Sequence, residues 1–100
     1  MPEDGAEAGE VVLLNAWHLG SVIAMPRQFW RFRRLDHQSQ RFPGRARSHR
    51  WVSRRSLLYT SRWSSAEDAE RWLSSPEFGR FDAGARAAGA VPRVERYRAE

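Results

Sequence analysis

The stretch that decides the fold runs from Leu57 to Phe78 and reads LLYTSRWSSAEDAERWLSSPEF. Its aromatic and β-branched beginning is typical of a strand, and the Ser64-x-x-Glu67 pattern that follows predicts a capping box at the start of a helix. Ser75-Pro76 repeats the signal, because proline at a first helical position gives up an amide hydrogen that has no partner there. The stretch therefore predicts a strand, a capped helix over residues 65–74, a break and a second helix.

The segments on either side extend this prediction to a whole domain. Alternating apolar residues predict strands, and an apolar spacing of three and four predicts helices. The predicted order is strand 11–19, helix 26–42, strands 46–53 and 56–63, helix 65–74, a helix from residue 76 to the glycine at 89, and strand 91–98. This order predicts an α+β, ferredoxin-like β-α-β-β-α-β fold with a four-stranded antiparallel sheet. We expect residues 1–9 to form a flexible tail and residues 10–100 a single domain.

The first strand predicts that the sheet is covered on both sides. Its alternating sets of side chains are Val11, Leu13, Asn15 and Trp17 on one face and Val12, Leu14, Ala16 and His18 on the other. Both sets are largely apolar, yet helices that pack on one side of a sheet leave the other side open. Because a large exposed apolar patch is unusual on a soluble protein, we expect a second copy of the chain to cover it. The sequence therefore predicts a homodimer.

Composition excludes several classes of function. The chain of 100 residues has no cysteine, which excludes disulfides, thiolate metal sites and a cysteine nucleophile. No apolar run approaches the roughly 18 residues of a membrane span, and the acidic start lacks a secretory signal. We therefore expect a cytoplasmic protein with no membrane partner. All 17 basic residues are arginine and the net charge is +5, a bias that favours coding preference over a binding role.

Two residues are candidates for a site where the predicted sheet and helices face each other. Asn15 lies on an apolar strand face, and burying an amide without partners costs about 1–3 kcal/mol, so we expect it to bond to backbone, water or a ligand. Trp72 lies on the helix that faces the sheet, where it is either a core residue or part of a site. His18, His37 and His49 have no metal-binding spacing, and we expect no metal site.

The central stretch has Trp-x-Ser before its first helix, Trp72 within that helix and Ser-Pro-x-Phe after it. With these motifs and this order of elements, the chain resembles the antibiotic biosynthesis monooxygenase family of dimeric α+β barrels. The resemblance covers residues 11–97. In the haem-degrading members of that family, an asparagine on the first strand, a tryptophan in the helix and a histidine in the next helical turn line a cleft between helices and sheet. The resemblance places Asn15 and Trp72 at the first two positions and Asp82 at the third. Since a carboxylate is a poor axial ligand for haem iron, we expect no haem and no other cofactor.

Other members of the same family are cofactor-independent oxygenases, so the resemblance implies a monooxygenase that acts on a hydrophobic aromatic, polyketide-like ligand. Such chemistry needs a dry pocket, a hydrogen-bond donor for the developing oxyanion and a base. The predicted catalytic residues are Asn15, Trp72 and Asp82, with His18 and His49 as alternative bases. The predicted substrate-binding residues are Trp17, Phe29, Arg62 and Phe78.

Two other functions stay open at this point. A non-catalytic ligand-binding or stress-response protein of the same fold would have its cleft filled by aromatic side chains such as Phe29, Phe78 and Phe81. An RNA-binding module would instead stack bases on the open sheet face. The residues predicted for that surface are His49, Trp51, Tyr59 and Trp63. Because the RNP-type Gly-Phe-x-Phe pattern is missing, nucleic acid is not an expected partner.

Overall fold

The computed structural model describes residues 9–98, which form one four-stranded antiparallel sheet with three helices. The elements are β1 (Val11–His18), α1 (Met25–Ser39), β2 (Arg45–Val52), β3 (Ser56–Trp63), α2 (Ala66–Leu73), α3 (Pro76–Ala87) and β4 (Val91–Arg98). The strand order β2-β3-β1-β4 confirms the predicted ferredoxin-like fold class. The predicted tail lies, apart from Gly9, outside the described residues.

The register of β1 determines which side chains face the helices. β1 pairs with β3 on one side and with β4 on the other, and Asn15 lies opposite Tyr59 and Val94. Side chains alternate between the two faces of a strand, so residues level with Asn15 share its face. The helix-facing residues of β1 and β3 are Val11, Leu13, Asn15, Trp17, Leu57, Tyr59, Ser61 and Trp63, and all are buried.

The first helix ends earlier than the sequence predicts. α1 ends at Ser39, whereas the apolar spacing predicts an end at about Phe42. The amides of residues 40–42 bond to carbonyl groups three residues back, at 3.1–3.3 Å, so the chain continues as a tighter turn. This turn leads into Gly44, whose φ of +88° is a conformation that glycine adopts readily.

The start of α2 also differs from the prediction, by one residue. Ser65 caps the helix, because its Oγ accepts a hydrogen bond from the Asp68 amide at 3.1 Å. The amide of Ser64 donates to the Gly44 carbonyl at 2.8 Å, which holds Ser64 in the extended segment before the helix. Its hydroxyl donates to the Asp68 carboxylate at 2.9 Å. The predicted capping box of Ser64 and Glu67 is therefore wrong.

The start and end of α3 match the sequence prediction. The Oγ of Ser75 accepts from the Phe78 amide at 3.2 Å, and Pro76 opens the helix. Phe78, Phe81 and Ala85 are buried on one stripe, as their spacing predicts, and Gly89 follows the helix with a φ of +91°.

The three helices pack on one face of the sheet, and the core lies between them. On the opposite face the central residues of β1 are half-buried, and aliphatic and aromatic residues of the outer strands are exposed. We call this opposite side the open face; its apolar members are Val12, Leu14, Ala16, Trp51, Leu58, Val91 and Tyr97. The prediction that β1 is apolar on both faces is confirmed. Within residues 9–98, no helix is long and apolar enough to cross a membrane.

Candidate active site

Asn15 is held in the interior between the sheet and the helices. It is the central polar residue on the helix-facing side of β1, and its side chain is fully buried. Neither its Oδ1 nor its Nδ2 has a hydrogen-bond partner among residues 9–98. An unpartnered buried amide is costly, since folding removes its bonds to water and returns nothing. Asn15 can therefore both donate to and accept from a group that enters this space.

Trp72 brings a second unpartnered donor to the same interior. It is fully buried on α2, and its indole Nε1–H has no acceptor within the described part of the chain. Its ring packs against Phe42 at a centroid distance of 4.8 Å, against Phe78 at 5.8 Å and, stacked, against Trp63 at 6.1 Å. The neighbouring indole of Trp63 differs, because its Nε1–H donates to Ser61 Oγ at 2.9 Å. Of this stacked pair, only Trp72 has a free donor.

Trp17 and Asp82 are joined by a hydrogen bond across 65 positions of sequence. Trp17 Nε1–H donates to Asp82 Oδ1 at 2.9 Å, and Arg86 Nε–H donates to Asp82 Oδ2 at 2.8 Å. The Asp82 side chain is 23% exposed, so it lies at the rim of the interior. Because an ionised carboxylate has more than one acceptor site on each oxygen, Asp82 retains capacity for a further hydrogen bond.

Aromatic rings fill the space around Trp17. Its ring centroid lies 4.7 Å from that of Phe81, 5.9 Å from that of Phe78 and 6.0 Å from that of Phe32. Edge-to-face packing of this kind is favourable and leaves little room between the rings. Asn15 and Trp72 are both fully buried, and five surface depressions of the described structure are lined by other residues. The interior is therefore closed in this conformation.

Two of the predicted substrate-binding residues lie away from Asn15. Arg62 pairs with Val12 in the sheet register, which puts it on the open face, where it binds Glu10 at 2.6 Å. Phe29 is half-buried on α1, and its ring faces Trp30 at 6.1 Å and the Arg33 guanidinium at 6.0 Å. Trp17 and Phe78, by contrast, are buried together in the interior. The structure thus brings the rings of Trp17, Trp72 and Phe78 together, with Asp82 at their rim and Asn15 buried on the same face of β1 as Trp17.

Three polar residues of the interior were not predicted from the sequence. Gln28 is buried with its Oε1 unpartnered among residues 9–98, and Ser39 and Tyr59 form a buried hydroxyl pair. Ser39 donates to the Asp36 carbonyl at 2.7 Å, so the Tyr59 hydroxyl is the donor to Ser39. Burial raises the pKa of Tyr59 above its ordinary value of 10.0, which keeps it protonated. Gln28 and Ser39 continue the helical period of Phe32 and Leu35, a signal that the sequence did contain.

The other predicted surfaces are altered by the register. Tyr59 and Trp63 are fully buried under the helices, so they cannot be part of the RNA-stacking surface predicted for the open face. His18 is exposed and contacts Ser56 Oγ at 3.0 Å, and His49 lies near Trp51 at 6.2 Å, both away from Asn15. Residues 9–98 contain no group of three or more His, Cys, Asp or Glu side chains placed to hold a metal ion.

This chain is similar to known proteins in its fold and much less similar to them in its sequence. The sequence matches no family model and no curated protein. SnoaB, a cofactor-independent oxygenase from Streptomyces nogalater, superimposes with a TM-score of 0.70 at 22% identity, covering 93% of this chain and 95% of SnoaB. A candidate antibiotic biosynthesis monooxygenase from Deinococcus radiodurans gives 0.80 at 11% identity, covering 89% and 92%. This chain shares the fold of these two proteins.

The same fold also occurs in a protein described only as conserved. The protein from Methanosarcina mazei superimposes with a TM-score of 0.84 at 8% identity, covering 97% of this chain and 99% of that one. All three identities are low, so these likenesses establish the architecture, and a function must be argued from the site.

Proposed function

We propose that this protein is a cofactor-independent monooxygenase that oxidises a hydrophobic aromatic, polyketide-like substrate between its helices and its sheet. The observation that carries the proposal is the buried amide of Asn15, unpartnered within residues 9–98, in an interior that also holds the free indole N–H of Trp72. Apolar residues at these positions would favour folding, so retained polar groups support a ligand that provides the missing partners. The fold shared with SnoaB supports the same class of reaction.

In the proposed reaction, O2 oxidises a CH2 group of the substrate that is bonded to two of the substrate's own aromatic rings. Loss of a proton gives a carbanion that attacks O2; one oxygen atom becomes the carbonyl oxygen, and the other leaves as water with the hydrogens of the CH2 group. The electrons that the carbon loses are those that O2 gains. Asn15 Nδ2–H and Trp72 Nε1–H donate to the oxygen anion of the ionised substrate. Asp82, at the rim beside Trp17, is the proposed base.

The ring-binding walls of the proposed pocket are Trp17 and Phe78, which already pack against each other. Since the interior is closed, substrate binding requires α3 and its aromatic side chains to move away from β1. Binding of a flat aromatic molecule replaces ring–ring contacts by similar contacts with the ligand, which keeps the cost of opening small. Arg62 and Phe29 have no role in this pocket.

The residues at the rim do not fit a haem group. The resemblance would place Asp82 at the position of a haem-binding histidine, and carboxylates are not usual axial ligands of haem iron. Both of its oxygens accept hydrogen bonds, from Trp17 and from Arg86, and the lone pair that remains on each can still take a proton. The proposed chemistry therefore relies on the substrate's own electron-rich carbon.

The deciding experiment measures oxygen uptake and quinone formation with an anthrone as substrate. We expect Asn15→Ala and Trp72→Phe each to lower kcat by about 10²-fold, the effect of losing one oxyanion donor. Trp63→Phe is the matched control, because it removes the same kind of ring from the same stack, but its N–H is already bonded to Ser61. Turnover unchanged in Asn15→Ala and Trp72→Phe, or lowered equally in Trp63→Phe, contradicts the assignment.

One observation favours the non-catalytic alternative. The interior is filled by aromatic rings, with the centroids of Trp17 and Phe81 only 4.7 Å apart. A protein whose interior never opens would give no turnover with any of these variants and no quenching of its tryptophan fluorescence by the anthrone. Quenching without turnover would identify a ligand-binding protein.

We also infer that the open face pairs with that of a second copy. The side chains of Leu14 and Leu58 lie there on the two central strands, and exposed Trp51 and Tyr97 extend the apolar surface outward. Burying such a surface gives a symmetric interface in which one patch meets itself. Equilibrium sedimentation tests this: we expect twice the chain mass of 11.6 kDa for the wild type and the single mass for Leu58→Arg. A wild type that stays monomeric at micromolar concentration contradicts the dimer.

A further inference from the structure

The outer side of α1 and its flanking turns carries an exposed basic and aromatic stripe. Ile23 lies in the short 3-10 turn before α1 and is 85% exposed, and Trp30 on α1 is 65% exposed. Four of the positions lie on α1 in steps of three and four, so they follow one side of the helix for about 15 Å, and one more position lies in the turn at each end. We call this surface the arginine stripe; its six exposed members are Ile23, Arg27, Trp30, Arg34, His37 and Arg41.

The stripe consists of two parallel lines with a repeat of seven residues. Ile23, Trp30 and His37 form one line, and Arg27, Arg34 and Arg41 form the other. A seven-residue repeat of this kind keeps each line facing the same way along a partner helix, with apolar contacts beside charged ones.

No carboxylate of residues 9–98 forms an ion pair with an arginine of the stripe, although Glu77 lines one depression with Arg34 and another with Arg41. α1 contains one carboxylate, Asp36, and it faces β2, where it binds Arg50 at 3.0 Å and Ser48 at 2.7 Å. The described ion pairs include none of the three stripe arginines. Like charges along one surface repel one another and attract an acidic partner.

A groove of about 470 Å³ runs beside the stripe, between α1 and α3. Half of its lining residues are small, namely Ala24, Gly84, Ala87 and Ala88. Arg31 forms a fixed wall: its guanidinium occupies the space that a side chain at Gly84 would need, donates to the Arg80 carbonyl at 3.3 Å and lies 5.9 Å from the Phe81 ring centre. A concave groove of this shape receives the side chains of a rod-shaped partner.

We propose that the arginine stripe and this groove bind an acidic amphipathic helix of a partner protein. The apolar residues of that helix pack on Ile23 and Trp30, and its carboxylates face Arg27 and Arg34. A flat membrane would leave the groove unfilled, and a nucleic acid would gain little from the exposed aliphatic Ile23. This proposal is independent of the oxygenase chemistry, because no member of the stripe lies in the proposed pocket.

The test uses the full chain and a labelled helical peptide of about three heptads, with leucine facing the apolar line and glutamate facing the arginine line. Fluorescence anisotropy measures the affinity. We expect Trp30→Ala and the double variant Arg27→Glu with Arg34→Glu each to weaken binding by about tenfold or more. The matched control is Arg54→Glu with Arg55→Glu, the same charge change at exposed positions of the β2–β3 turn. It should retain at least half of the wild-type affinity once circular dichroism shows equal folding.

Three results would overturn the proposal. The first is equal affinity for a peptide of the same composition in scrambled order, because then charge alone is being measured. The second is equal weakening by the control double variant. The third is tighter binding to single-stranded RNA or to vesicles containing phosphatidylglycerol, lost in the stripe variants, which would assign the surface to a different partner.

Discussion

Replacing Asn15 by leucine should make the protein more stable. Leucine has the branching and the number of side-chain heavy atoms of asparagine, but its methyl groups are larger, so the neighbours of residue 15, which lies opposite Tyr59 and Val94, must shift slightly to accept it. The wild-type amide is fully buried, and both of its polar atoms are unpartnered within residues 9–98. Removing one buried unsatisfied polar group returns about 1–3 kcal/mol. We therefore expect the free energy of unfolding to rise by about that amount.

Urea denaturation and thermal unfolding measure this change. For a domain of this size, each kcal/mol corresponds to roughly 4–8 °C in Tm. Asn15→Ala is the comparison, because it also removes the amide but leaves a void whose cost offsets the gain. Asn15→Leu should be the most stable of the three proteins, and wild type and Asn15→Ala should both unfold more easily. If Asn15→Leu and Asn15→Ala both lose more than about 1 kcal/mol, overpacking does not explain the loss in both; the amide is then hydrogen-bonded in the resting protein, by water for example, and the central argument for a ligand fails.

Three further predictions concern the parts of the fold that support this interior. Tyr59→Phe should lower the free energy of unfolding by about 0.5–1.5 kcal/mol at pH 7, because the hydrogen bond between the Tyr59 and Ser39 hydroxyls is lost. Since burial raises the pKa of Tyr59, the stability from the protonated hydroxyl is complete below pH 10.0 and is lost above it. Denaturation at rising pH should therefore show the difference in stability between wild type and Tyr59→Phe becoming smaller. Gly44→Ala should lower the free energy of unfolding by more than about 1–2 kcal/mol, because Gly44 has a φ of +88° and a new Cβ would overlap the Asp68 carboxylate. Gly79→Ala makes the same change in open space on α3, and thermal denaturation should show a gain of about 0.5–1 kcal/mol. The Ser64 hydrogen bond, followed by the Ser65 and Arg71 contacts, lowers the pKa of Asp68. Wild type should therefore be more stable than Asp68→Asn at neutral pH, and this difference in stability should vanish as the pH falls below about 4. A difference that persists in acid would exclude this carboxylate as its source.

Functional positions were harder to predict than the elements that carry them. The sequence indicates Asn15 as a polar interruption of an apolar strand face and Trp72 by its place on the helix that faces the sheet and by the family resemblance. Both are buried with unpartnered atoms in the described structure. Whether they act in catalysis stays a prediction. Arg62 is predicted as a hydrogen-bond donor in the pocket, but the alternation along β3 puts it with Ser56 and Thr60 on the more polar side of the strand, away from Tyr59 and Trp63. The register with Val12 puts it on the open face.

The sequence by itself determined the order and type of the elements and the two apolar faces of β1. These depend on spacing along the chain and on local signals such as Ser75-Pro76, which need no distant contact to act. Tertiary structure decided which polar groups find partners. Trp17 meets Asp82 and Tyr59 meets Ser39 only because the sheet register and helix packing bring them together, while Asn15 and Trp72 meet no partner within residues 9–98. Hydrogen bonding depends on distances of a few ångströms between remote residues, and no local pattern encodes those distances.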